Sequence, residues 1–467
     1  MTIRPPKQKT IRQKKATIGA SHGHAGPFRI AACWPHQQCP LILSMVGDGH
    51  VFVATSFTPI SLESIQSQKV NAWKDCNIEP QVSRDLPRWL ILLPYDSYLR
   101  QSTSASSTST SSASERPLAW EVKAGLVWDD GSSEPRYVTR RDASSARFHL
   151  EWGSQLKDLI SEAKKFAPVD ARPVALRPAT SDDTYLESVR SIIRGIQAGD
   201  FYQVNVLRYF HALNAHGWQN ICALMELNSG PQGALISQGS RVVASFSPEK
   251  FIGVENHDGQ FEIGTWPIKG TAARDLKNEK KDHEIGAELE KSQKDCAELR
   301  MIIDLMRNDL SKICVDGSVQ VVNSGTLKKF SHVWHLEGHI TGKLNAEESL
   351  GEILAAVCPG GSITGAPKLA AMERIAEEEG QPRGYFMGNF LRINHDGSLQ
   401  SNILIRTMIS EDWMKSGRYA AGSGIVIKSE PEKELAEIKS KCATITEIGN
   451  SSSREQSDTI NEEIEYD

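Results

Sequence analysis

Phe261-Glu262-Ile263 reads as a β-like run, and a few residues on it gives way to Pro267-Ile268-Lys269-Gly270-Thr271, a single lysine at a glycine turn. Two readings of Lys269 stand side by side. The Pro-Ile approach is stiff and apolar and the glycine allows close backbone access, so the amine is desolvated, its pKa falls and a nucleophile becomes available. Alternatively the stem covers apolar surface while the ammonium reaches water. The segments downstream decide between them.

Along 288–314 the apolar residues Leu299, Ile302, Leu305, Met306 and Leu310 recur at helical spacing. Asp295 and Glu298, three apart, continue that stripe toward its N-terminus and so face inward. After Pro431, which suits a first helical turn, Leu435, Ile438, Cys442 and Ile445 form a packed face with Glu434 and Glu437 at its border. Carboxylates three apart on two helices match what a hard cation such as Mg²⁺ requires, with water and substrate oxygen completing its shell. Lys433, Glu437 and Lys441 are also spaced as a solvated ion-pair ladder, which is the plain alternative for the second pair. Pro359-Gly360-Gly361-Ser362-Ile363-Thr364-Gly365-Ala366-Pro367-Lys368 is a glycine-rich loop entering a helix over 369–379, where backbone N–H groups can hold a carboxylate. It is not a Walker loop, because Gly-x-x-x-x-Gly-Lys-Ser/Thr is absent. Ala421-Gly422-Ser423-Gly424-Ile425-Val426 is a second turn with close backbone access, and Arg406 offers a bidentate fork after the apolar run Ile403-Leu404-Ile405.

The 467 residues are 39% apolar and suffice for one large domain or two with a sizeable core. A formal charge of -5 carries no nucleic-acid footprint, and the clustered basic residues Arg4, Lys7, Lys9, Arg12, Lys14 and Lys15 sit in a tail without apolar periodicity. Eight cysteines without a Cys-x-x-Cys pair read as reduced thiols of a cytoplasmic protein. No stretch has the length and apolarity of a signal h-region or a membrane span. Composition divides the chain into a disordered basic tail over 1–25, an N-terminal region over 26–178, a main region over 179–450 and a disordered acidic tail over 451–467. The Ser-rich segment 101–115 is too polar to pack and reads as a mobile loop between strand-like stretches at 51–54, 89–92 and 125–128. His22-Gly23-His24 lies in the polar tail and reads as a chance pair rather than a metal site.

Six stretches together resemble the chorismate-utilising enzymes over 196–448. They are Ile196-Gln-Ala-Gly-Asp-Phe-Tyr-Gln-Val-Asn205, Ser245-Phe-Ser-Pro-Glu-Lys-Phe251, Pro-Ile-Lys-Gly-Thr, Lys294-Asp-Cys-Ala-Glu298 with Asp304-Leu-Met-Arg-Asn-Asp309, the glycine-rich loop, and Ala-Gly-Ser-Gly-Ile-Val. Within that family the lysine of Pro-Ile-Lys-Gly-Thr is similar to the aminodeoxychorismate synthase component I branch, where anthranilate synthase component I usually carries alanine. Gln203-Val204-Asn205 differs from the isochorismate and salicylate branches, which tend to place a lysine there.

The resemblance implies an α+β fold, with two antiparallel β-sheets packed as a sandwich, helices outside and the active site in the cleft. It implies Lys269 as nucleophile at C2 of chorismate, Glu249 as proton-exchanging carboxylate and His335 as donor to the departing hydroxyl at C4. Glu298 and Glu437 would hold Mg²⁺, supported by Asp295 and Glu434. Gly270, Thr271, Ser362, Thr364, Gly365, Phe386, Arg406, Gly422, Ser423, Gly424 and Lys441 would contact substrate. Ammonia would come from a glutamine amidotransferase subunit in trans, since the chain shows no Gly-x-Cys-x-Gly elbow, and the product would serve para-aminobenzoate and folate synthesis. An anthranilate-forming activity, or a chorismate-binding paralogue without turnover, is the alternative. The segment 386–402 departs from the family pattern, lacking a second glycine and a tyrosine, and Leu41-Ile42-Leu43-Ser44 is only faintly similar to the family's tryptophan pocket.

Overall fold

The computed structural model describes residues 27–34, 41–46, 50–74, 85–97, 115–129, 132, 135–139, 157–165, 171–329, 333–412 and 415–446. Both expected tails and the His22/His24 pair lie outside the described residues, as does the Ser-rich segment apart from Glu115. Glu115 itself is anchored: its carboxylate accepts from the Tyr385 N–H and pairs with Arg418 at 2.5 Å. Glu115 is thus held in place despite its polar neighbourhood in sequence, because a carboxylate can be buried where a guanidinium and an amide meet it.

Among the described residues nineteen strands, all antiparallel, form one hydrogen-bonded ribbon. From Ala175–Pro178 it passes through Gln203–Leu213, Ser416–Val426, Thr407–Ser410, Arg241–Ser245, Ala234–Gln238 and Leu41–Val46 to His50–Ile60. It continues through Leu118–Trp128, Pro87–Leu93, Asn389–Asn394, Leu399–Asn402, Lys250–His257 and Gln260–Thr265 to Val333–Lys343, which also pairs with Ile268–Ala273 and Gln320–Lys329. The two halves of the ribbon fold back on each other. Leu207, Ile236 and Val243 from the first half join Phe251, Ile252, Leu391 and Ile393 from the second in one apolar cluster. Strand alternation supplies both sides of the first half: Val51 and Val53 pack under the helices with Tyr185, Val189, Ile192 and Ile438, while Phe52 and Ala54 face the other half. This is the sandwich, built from a continuous ribbon with register shifts near residues 54–57.

The N-terminal region is interleaved with the rest rather than set apart, since Leu41–Val46 pairs with Ala234–Gln238 and Pro87–Leu93 with Asn389–Asn394. The strand-like stretches at 51–54, 89–92 and 125–128 all lie in strands. The helical stripe along 288–314 proves to be two helices, Glu279–Lys291 and Gln293–Ser311. Ser292 breaks it by adopting an extended backbone and capping the second helix through a bond from the Asp295 N–H. A serine that accepts from the chain three residues on favours a new start over continuation. Pro431–Thr446 begins at the proline as its sequence indicates. Around Ser44, the residues Met45, Gln232, Phe390 and Arg392 close on a cavity of about 10 Å³, room for one water but not for an indole.

Candidate active site

Lys269 reaches the cleft because its strand is bulged. The register against Val333–Lys343 slips between Lys269 and Thr271, with Gly270 at φ 71 as the extra residue. Ordinary alternation would put Lys269 and Thr271 on one face; the bulge pairs Lys269 with Leu336 and Thr271 with His335, re-aiming both. Gly270 is fixed by this φ and by its neighbours, for a Cβ there would stand 3.1 Å from the Asp295 carboxylate.

The amine lies against the other half of the ribbon. A Cβ on Gly424 would meet Lys269 Nζ and Gln203 Nε2, each at 3.1 Å. Among the described residues Lys269 has no hydrogen-bond or salt-bridge partner. Burial, the largest influence, lowers its pKa, and the Lys441 charge works in the same direction against Glu298 and Glu249. Of the two readings offered by the sequence, desolvation prevails over a solvated head. Glu249 is 7% exposed, accepts from Ser362 Oγ at 2.9 Å, and is pushed up to about 7 by burial, offset by that bond and by Lys269 and Lys441. An amine made easier to deprotonate thus shares a dry space with a carboxyl that titrates near neutrality.

His335 Nδ1 lies 2.9 Å from Thr271 Oγ1 and 3.3 Å from the Gly270 carbonyl oxygen. Burial and then Arg406 push its pKa down to about 4, so the ring is neutral at pH 7. This departs from an imidazole titrating near neutrality, because an arginine faces it in a desolvated setting. Arg406, at φ 50, has its guanidinium pKa lowered by burial. Among the described residues no carboxylate or carbonyl pairs with its side chain. Lys441 donates to the Gly422 carbonyl at 2.6 Å and pairs with Glu437 at 2.6 Å.

The four acidic residues are less uniform than their spacing suggests. Glu434 is 4% exposed, whereas the Glu437 side chain is 51% exposed and tied to Lys441. The expected ladder is half formed, since Lys433 pairs with Glu430 instead. Asp295 accepts from the Ser292 hydroxyl at its helix start. Glu298 has one buried oxygen without a hydrogen-bond partner, 3.9 Å from Lys294 Nζ, and burial raises its pKa against the Lys269 and Lys294 charges, with Asp295 and Glu434 adding to the rise. Among the described residues no three His, Cys, Asp or Glu side chains form a ready metal cluster. A buried carboxylate oxygen that accepts no hydrogen bond, amid further acidic groups, does suit a hard cation that keeps water or ligand oxygens in its shell.

The remaining predicted contacts divide. Gly422 and Gly424 face the cleft, but the alternation of their strand turns Ser423 away, where it is fully buried and 3.0 Å from the Tyr185 hydroxyl. Phe386 is buried in the core, edge-on to Tyr209 with Arg418 over its ring. The glycine-rich loop keeps two of its amides to itself, since the N–H groups of Ile363 and Thr364 bond back to the Gly360 and Gly361 carbonyls. It gives the cleft the Ser362 hydroxyl, while Thr364 Oγ1 bonds to the Gly360 carbonyl. Gly365, at φ 154, pairs with Val204 so tightly that a Cβ would lie 2.0 Å from the Gln203 carbonyl. Sequence reasoning missed Arg383 and Glu379, which are four apart but separated by Gly380 and Pro382, so helical spacing gave no signal.

The family model described as chorismate binding enzyme matches residues 46–447. The chain belongs to the chorismate-binding enzymes. It is 38% identical over 262 residues to aminodeoxychorismate synthase component 1 of Escherichia coli, covering 56% of each protein. It is 35% identical over 267 residues to anthranilate synthase component 1 of Thermus thermophilus, covering 57% of this chain and 56% of that one. These matches span little more than half the length of either relative. The crystal structure of anthranilate synthase component I from Streptococcus pneumoniae superposes with a TM-score of 0.68 at 22% identity, covering 87% of this chain and 90% of that one, which shows the chorismate-binding fold. The family match includes the strands that carry Lys269 and His335, Glu249 just before the strand Lys250–His257, and the helices that carry the acidic residues. Among the described residues no helix is long and apolar enough to cross a membrane.

Proposed function

We propose that this chain binds chorismate and replaces its C4 hydroxyl with an amino group, giving 4-amino-4-deoxychorismate, the reaction of an aminodeoxychorismate synthase component I. The observation that carries the reading is Lys269, a desolvated and unpaired amine set against Gly424 and near a carboxyl with a pKa of about 7. The neutral amine attacks C2, both ring double bonds shift along the conjugated diene and the C4 hydroxyl departs as water. Ammonia then adds at C4, the double bonds shift back and the C2–N bond breaks, restoring Lys269. Covalent capture splits one hard substitution into two easier ones. Glu249 in its ionised form takes the proton lost by the attacking amine and passes it to the departing hydroxyl; in the second half it takes a proton from the added ammonia and returns it to Lys269 as lysine is expelled. His335, neutral and held at Nδ1, offers the departing hydroxyl a hydrogen bond rather than a full charge.

Arg406 supplies a fork for a substrate carboxylate, with Lys441 and the Gly422–Gly424 backbone beside it. Glu298 and Glu437, backed by Asp295 and Glu434, would hold Mg²⁺, which supplies positive charge for the ring carboxylate. Ammonia is expected from a glutamine amidotransferase subunit, a reading supported by the relatives' designation as component 1.

The comparable identity to anthranilate synthase component 1 makes anthranilate the second reading. Incubating the protein with chorismate, Mg²⁺ and ammonium separates the two, since anthranilate fluoresces and aminodeoxychorismate becomes para-aminobenzoate only after a lyase is added. Intact mass should show a chorismate-derived adduct that Lys269→Ala abolishes along with turnover. Turnover persisting in Lys269→Ala refutes the covalent route.

A further inference from the structure

Arg383 is buried at 1% side-chain exposure, remote in sequence from every motif that points to the cleft, and all three of its guanidinium nitrogens are engaged. Nη1 donates to the Ile363 carbonyl at 2.8 Å and Nη2 to the Asn205 carbonyl at 2.7 Å. Nη2 and Nε also hold Glu379, at 2.6 and 3.0 Å. Glu379, equally buried, in turn accepts from the Leu207 N–H at 2.9 Å and the Tyr209 hydroxyl at 2.7 Å. The ion pair is thus wired to the strand Gln203–Leu213 on one side and to the glycine-rich loop on the other.

Those two attachment points flank the chemistry. Ile363 follows Ser362, whose hydroxyl donates to Glu249. Asn205 pairs across the sheet with Gly424, the residue against which Lys269 lies, and its N–H donates to the Thr364 carbonyl at 2.7 Å. We propose that the Glu379–Arg383 pair is a positioning element that clamps the loop to the strand and, through Ser362, holds the Glu249 carboxyl in place for proton exchange. Only a planar fork can reach two carbonyls and a carboxylate at once; a lysine ammonium can satisfy Glu379 but not span Ile363 and Asn205 together. Loosening the clamp leaves two buried carbonyls short of a donor, and the loop moves to find one.

The inference rests on Glu249 having the part given to it in the proposed function. The charged groups that face Glu249 are Lys269, Lys441 and Arg406, and all remain in every variant used. The experiment is the pH profile of kcat/KM with chorismate and ammonium for the full chain, comparing wild type, Arg383→Lys, Ser362→Ala and the double variant. Ser362→Ala removes a bond that favours ionised Glu249, so its acidic limb should move up by about half to one pH unit, the worth of one hydrogen bond. Arg383→Lys should move the limb the same way, and the double variant no further. If Arg383→Lys does not fold, Glu379→Asp, which keeps both charges and shortens one arm, carries the same expectation. A clamp variant with a wild-type limb, or shifts that add in the double variant, overturns the clamp. If Ser362→Ala itself leaves the limb unmoved, Glu249 is not the titrating group, and the clamp falls together with the role given to Glu249.

Discussion

Gly424→Ala tests where Lys269 works from. The new Cβ would lie 3.1 Å from Lys269 Nζ and from Gln203 Nε2, tighter than nearly all real contacts to a Cβ, so each side chain must retreat by a few tenths of an ångström. The backbone at Gly424 is not left-handed, so alanine adds no conformational strain there and removes some freedom from the unfolded chain. Displacing a reacting group by 1 Å costs on the order of a hundredfold in rate, and a few tenths should therefore cost about three- to tenfold in kcat. The midpoint of thermal unfolding should move by no more than a few degrees. Gly365→Ala is the contrast: at φ 154, with a Cβ 2.0 Å from the Gln203 carbonyl, it should fail to fold. The assay is initial-rate formation of aminated product with saturating chorismate and ammonium, beside a melting curve for each variant. A folded Gly424→Ala protein with wild-type kcat means Lys269 does not react from this position, and the covalent route loses its geometric support.

Glu249 gives a stability prediction with a definite sign. Its folded pKa of about 7 lies above the 4.5 of a free glutamate, so its contribution is fully present below pH 4.5 and is lost as pH rises toward and through 7. Glu249→Gln keeps the shape and removes that loss, and should gain about 3 kcal/mol on wild type between pH 5 and pH 8; parallel stability curves across that range refute the burial argument. Glu298→Gln should weaken Mg²⁺ and chorismate binding together, because the carboxylate oxygen that accepts no hydrogen bond within the protein is the one offered to the cation. Calorimetric titration with unchanged Mg²⁺ dependence removes Glu298 from the site.

Local chemistry was legible and long-range geometry was not. The strand at 260–265, the helix from Pro431 and the lysine at its glycine turn could be read because each rests on neighbours in the chain. The bulge at Gly270 was hidden, since a slip of one residue depends on the partner strand 333–343. Ser423 seemed equivalent to Gly422 and Gly424, and only the face of the strand, set by pairing with Gln203–Leu213, separates them. In the glycine-rich loop the Ile363 and Thr364 N–H groups bond within its own turn, a pairing its composition does not announce. Arg383 was invisible because its partners are carbonyls of residues 205 and 363, positions whose side chains say nothing about it.

Arg406 completes the electrostatic argument. Elsewhere the protein gives its buried arginines an oxygen partner: Arg383 has Glu379, Arg208 has Asp182, Arg29 has Glu226, and Arg392 has the Asn394 side-chain oxygen and the Asp85 carbonyl. Arg406 is desolvated enough to lower its pKa and has no such partner among the described residues. An unpaired desolvated charge costs folding free energy and is retained where a ligand supplies the counter-charge. Two opposite effects of Arg406→Gln follow. Without ligand the variant should melt at or above the wild-type temperature, since the penalty is gone. With chorismate and Mg²⁺, wild type should gain about 2.7 kcal/mol at a ligand concentration a hundredfold above Kd, and the variant should gain little at that same concentration. Thermal melts with and without ligand read both. A variant that melts lower than wild type without ligand yet keeps the full ligand-induced gain would show that Arg406 is a structural cation, and the anion would then have to be held by Lys441 and the glycine turn alone.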